Sequence, residues 1–135
     1  MKKIIMVLAT LTSVSAFAGS IFTCNAPKNN ANAVLAGSYA IVNVTSNSLR
    51  FQQYDKSSNS LMRDYKYIFV KIAGGQSQVT GKMMFELKET VKDYGDSINA
   101  IYADQSLIQG NAGAIMFTGQ GYGWDWNFCK SNQNH

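Results

Sequence analysis

Cysteine occurs twice in this chain, at Cys24 and Cys129, and a bond between the two would lay the start of the folded region beside its end. Two cysteines in an exported chain point to one disulfide, because the compartments outside the cytosol keep thiols oxidised. Export is expected from the N-terminus. Lys2 and Lys3 form a basic start, and Ile4 to Leu11 is an apolar run too short to span a bilayer. Ala16-Phe17-Ala18 then sets small residues where a signal peptidase reads them. The expectation is a signal peptide over residues 1–18 of bacterial type, and a periplasmic or extracellular product with no transmembrane segment left after cleavage. No lipobox leads into Cys24, so no lipid anchor is expected.

Cleavage leaves Gly19 to His135, 117 residues, the length of one domain. A chain of that size buries roughly 65% of its unfolded surface, enough for a single core. With Lys2 and Lys3 gone, ten basic residues face eight acidic ones, a net of +2 in place of the +4 of the whole sequence. No basic run marks a nucleic-acid surface, and no nucleic-acid partner is expected.

Apolar alternation recurs in short segments separated by Gly, Asn and Ser. Ile21 to Cys24, Gly37 to Thr45, Leu49 to Tyr54, Met62 to Ile72, Val79 to Thr90, Ile98 to Ala103, Ala112 to Thr118 and Tyr122 to Lys130 read as strands. Helical spacing competes over Lys82 to Gly95, but Met83, Phe85 and Leu87 alternate with Met84, Glu86 and Lys88 as in a half-buried strand. The pattern predicts an all-β fold: a small antiparallel up-and-down barrel of about eight strands, with a two-sheet β-sandwich as the alternative. A disulfide between the outermost strands favours the barrel, since it joins the two edges a meander leaves open.

Catalysis finds little support. The single histidine, His135, ends a polar tail, and serine triads, Cys–His dyads and His-based metal sites each need one in a fixed place. Bonded cysteines offer no thiolate. Asp93 and Asp96 flank Tyr94-Gly95, too few acids for a calcium loop. Asp125 stands between two tryptophans, but alternation turns it away from both rings. Neither a cofactor nor a metal is expected, and the chain is read as a non-enzyme.

Aromatic residues give the positive expectation. Tyr65, Tyr67 and Phe69 repeat at every second position, as do Tyr122, Trp124, Trp126 and Phe128 in the stretch GQGYGWDWNFCK. Both stripes are expected to face the interior, with Asn127 and Cys129 on the outer face. Small barrels are either filled with side chains or hold one small ligand. Tyr65, Tyr67, Phe69, Tyr122, Trp124 and Trp126 are therefore the candidate lining of a site for a small apolar or aromatic ligand. The alternative is an inhibitor or adaptor that engages another exported protein through its loops, with Asp55 to Leu61, Gln76 to Gln78 and Gln105 to Asn111 as candidates. A third reading has Trp124 and Trp126 stack on a glycan. The first strand, SIFTCN, lacks the Gly-x-Trp that lipocalins carry near their first strand, and no family resemblance is claimed.

Overall fold

The computed structural model describes residues 19–26, 35–95, 98–119 and 126–132. Eight strands follow one another: β1 (Ser20–Asn25), β2 (Ser38–Val44), β3 (Ser48–Asp55), β4 (Leu61–Ile72), β5 (Met83–Lys92), β6 (Ile98–Ala103), β7 (Gly113–Gly119) and β8 (Trp126–Ser131). Every strand pairs antiparallel with its sequence neighbour, and β1 pairs with β8, so the sheet closes. This is the up-and-down barrel that the sequence predicts; the sandwich is not formed. Among the described residues no helix is long and apolar enough to cross a membrane.

Side-chain alternation places the core. Ser38, Ala40, Val42 and Val44 point inward from β2, while Tyr39, Ile41 and Asn43 point outward. Met83 and Phe85 are buried on the predicted side of β5. Phe22, Phe51, Phe85 and Phe117 fill the middle of the barrel, with Phe51 and Phe117 edge to face at 5.4 Å. β5 begins four residues later than the alternation suggests. Ala73 and Val79 of the preceding loop instead pack on Met116 outside the barrel wall.

The two ends differ. The connections after β2, β4 and β6 share one end, and the C-terminal ends of β1, β3, β5 and β7 mark the other, here called the rim. A 3-10 helix at Gln105–Gln109 occupies the segment expected to protrude as a loop, and it turns Leu107, fully buried, into the core. Asp104 fixes this cap: one carboxylate oxygen accepts the Ala114 N–H at 2.9 Å and the other holds Lys82 Nζ at 2.5 Å. Gly113 has no room for a side chain there, since a Cβ would come within 2.7 Å of Ser106 Oγ.

Cys24 and Cys129 are bonded and stand directly opposite one another on β1 and β8. Both lie in the core, which corrects the expectation for β8. Asn127 and Cys129 face inward, whereas Phe128 is 60% exposed. Hydrophobicity alone assigns Phe128 to the interior. The disulfide overrides it: Cys24 shares the inward side of β1 with Phe22, so its partner must be inward too, and a strand has only two sides.

Candidate functional site: a charge-free wall beside the rim

Tyr65 and Tyr67 lie deep in the barrel at 0% and 1% exposure, edge to face at 6.3 Å. Their hydroxyls are satisfied there: Tyr65 donates to Asp93 Oδ1 at 3.1 Å and Tyr67 to the Ile98 carbonyl at 2.8 Å. Rings so completely covered have no room for even a water molecule against them. Phe69 is half-buried and packs on Phe85 at 5.8 Å. These three residues share the interior as predicted, and around the two tyrosines that interior is filled. Tyr122, Trp124, Asp96 and Asp125 lie outside the described residues. Trp126 is described in its backbone alone, opposite Met116 on β7.

Toward the rim the interior becomes polar. Ser38, Gln53, Arg63 and Asn127 are all buried, and Gln53 Nε2 donates to Ser38 Oγ at 2.8 Å. The Arg63 guanidinium stands 5.6 Å over the ring of Tyr94, a cation–π contact. Tyr94 also borders an open surface cleft of about 310 Å³ lined by Asp55, Ser60, Leu61, Met62 and Lys92. Hydroxyls of Ser57 and Ser58 and the Ser58 N–H hold the Asp55 carboxyl below its usual range, so local donors in the β3–β4 turn stabilise its negative charge.

The outer wall divides by charge. β4 and β5 carry Lys66, Lys71, Glu86, Lys88, Glu89 and Lys92, interleaved with exposed Ile68, Val70, Ile72 and Val91. β1, β2, β6 and β7 carry no charged residue at all, and β8 only Lys130. At the border between the two, Arg50 grips Asp64 through Nε to Oδ1 at 2.9 Å and Nη2 to Oδ2 at 2.6 Å, with Gln52 adding a third bond at 3.2 Å. The Arg50 hydrogen bonds hold the Asp64 carboxyl below its usual value, and Asp64 in turn raises Arg50.

Strand register lays out the uncharged wall row by row. Tyr54 stands opposite Tyr39, Tyr39 opposite Asn25, and Asn25 opposite Phe128. One level down run Gln52, Ile41, Thr23 and Lys130. The upper row is thus aromatic, aromatic, amide, aromatic, just below the rim. Tyr39 and Tyr54 stack at 5.4 Å with planes 15° apart, and the Tyr39 hydroxyl donates to Asn59 Oδ1 at 3.0 Å. Asn59 adopts φ 58°, a left-handed conformation that asparagine tolerates better than most side chains.

Sequence reasoning missed this wall. The signal was present in SYAIVNV and SIFTCN, two strands with no charge on the side facing solvent, but the aromatic row forms only across strands, where no spacing along one strand reveals it. Among the described residues no three His, Cys, Asp or Glu side chains gather as metal ligands would. No protein-family profile matches the chain, and comparison with curated proteins and solved structures returned no match.

Proposed function

We propose that this chain is an exported, non-catalytic binding protein that meets its partner with its outer wall and carries no ligand against Tyr65 and Tyr67. Phe128 carries the proposal. At 60% exposure it is the most exposed of the large apolar side chains among the described residues, and it stands beside β1 and β2, which carry no charged residue, with the bonded Cys129 next to it in the strand. Binding surfaces are depleted in charge and enriched in aromatic residues at their centres. Export is supported by the basic and apolar N-terminal pattern together with the disulfide. A second reading keeps the interior in play at the rim, where Gln53, Arg63 and Asn127 would offer polar contacts to a small ligand entering from that end.

The test is cross-linking of the purified protein to the exported fraction of its host. Phe128→Lys is expected to abolish a stoichiometric adduct that Lys71→Glu, on the charged wall, leaves intact. Equal capture by both variants would refute the outer-wall proposal. Saturable one-to-one binding of an apolar dye that perturbs tryptophan emission would instead favour the interior.

A further inference from the structure

We infer that cleavage behind Ala18 completes this fold: the α-ammonium it leaves on Gly19 seats between the Val44 carbonyl and Asn43 Oδ1, an acceptor that is otherwise buried and unpaired; this rests on the export reading above. Asn43 points outward from β2, yet its Oδ1 is covered and has no hydrogen-bond partner among the described residues. Buried acceptors are nearly always paired, and one left alone costs stability. The neighbouring strands supply no donor. Opposite Asn43 stand Ile21 on β1 and Arg50 on β3, and the Arg50 guanidinium is committed to Asp64.

Gly19 adjoins the acceptor. Its φ is 66°, and a Cβ built on it would lie 2.6 Å from the Val44 carbonyl oxygen, 2.8 Å from Thr45 Cγ2 and 2.9 Å from Asn43 Oδ1. For a carbon these are clashes. For a protonated nitrogen the two oxygen distances are close to those of charge-assisted hydrogen bonds. Inside a continuous chain the Gly19 nitrogen is bonded to Ala18 and is not free to enter this corner. At a chain start it is free. A turn of about 120° around the Cα–C bond carries the nitrogen of a terminal glycine to the Cβ position, at nearly the same bond length. Thr45 Cγ2 must then give way by about 0.5 Å. Gly19, Thr45 and Ile108 border an open cleft of about 520 Å³, so space for that shift adjoins them.

The covalent step is hydrolysis of the Ala18–Gly19 peptide bond by a signal peptidase. Water gives its hydroxyl to the Ala18 carbonyl carbon and a hydrogen to the Gly19 nitrogen. The new carboxylic acid ionises, and its proton makes the amine an ammonium at neutral pH. An amide N–H is one donor; the ammonium offers three and a positive charge. Two of its protons serve Val44 and Asn43, and the third faces the cleft. Part of the stability of the barrel is thereby withheld until the chain has been processed.

The experiment compares two purified chains, one beginning at Gly19 and one that keeps Ala18 as an added first residue. The chain beginning at Gly19 is expected to melt about 4 °C higher at neutral pH. Asn43→Leu removes the acceptor and should shrink that difference to below about 1 °C, whereas Asn43→Asp, which makes the acceptor an anion, should enlarge it. Without any substitution, the side-chain amide signal of Asn43 in a nitrogen-15 NMR spectrum should differ between the two chains, which keeps the test open if a variant fails to fold. Equal melting of the two chains, a difference that survives Asn43→Leu, or an unmoved Asn43 signal overturns the seat for the ammonium. The intact mass of the protein recovered from the exported fraction tests the premise separately. A first residue of Gly19 supports it. A different first residue overturns the link to maturation whatever the melts show, and full-length protein alone overturns the export reading as well.

Discussion

Replacing both cysteines by alanine tests how the barrel is held shut. The bond closes a separation of 105 residues. In the chain-entropy treatment a loop of that length removes about 16 cal/mol/K from the unfolded ensemble, or about 4.8 kcal/mol at 25 °C. Few single changes in a domain this size reach that magnitude. The folded state keeps its remaining β1–β8 register, from Phe22 opposite Ser131 to Asn25 opposite Phe128, so the loss should fall mainly on the unfolded side. Two signatures follow in urea titrations of the oxidised protein and of Cys24→Ala/Cys129→Ala. Stability should drop by about 3–5 kcal/mol. The slope m should rise, because an uncrosslinked chain exposes more surface when it unfolds. A drop below about 1 kcal/mol with unchanged m would refute the argument, since it would mean the bond restrains neither the unfolded chain nor the closed wall.

Two further perturbations probe the polar anchors. Asp64 has its carboxyl pKa lowered, chiefly by the Arg50 hydrogen bonds, so its contribution is present above the unfolded value near ~3.9 and fades as pH falls through the lower folded value. Asp64→Asn should therefore cost about 2 kcal/mol by denaturant titration at neutral pH, with the gap to wild type closing below about pH 4; a gap that persists at pH 2 would show that charge is not the cause. Asp104→Ala strips the acceptor from the Ala114 N–H and from Lys82, and should lower stability by about 2 kcal/mol while speeding hydrogen exchange at the Ala114 amide; unchanged exchange would show that the cap is held by packing of Leu107 instead.

The strands are legible in the sequence because a half-buried wall imposes a two-residue period, and Ile98–Ala103 falls where the pattern sets it to the residue. Closure is legible from the cysteine positions. The side of β8 is not, because Phe128 and Cys129 give opposite answers and only the covalent bond decides between them. Residues 105–109 read as an exposed loop since only two adjacent apolar residues, Leu107 and Ile108, tie the turn to the core, and two adjacent residues make no period. The charge-free wall depends on which residues of four different strands share a level. That is fixed by register, and register depends on turns and bulges that local pattern does not specify.

The meander has a consequence for the order in which the molecule assembles. Seven of the eight ladders join segments adjacent in the chain, and one, β1 with β8, joins its extremes. A polypeptide delivered N-terminus first can zip hairpin after hairpin as each segment arrives, at modest loop-closure cost. Until Trp126–Ser131 is in place, however, one edge of β1 lacks its ladder partner and Cys24 has no Cys129 to bond. That interval is when the chain is open to strand addition by a second copy and to mixed disulfides. Arrival of the last strand ends both hazards in one step, placing Cys129 opposite Cys24 as the wall closes.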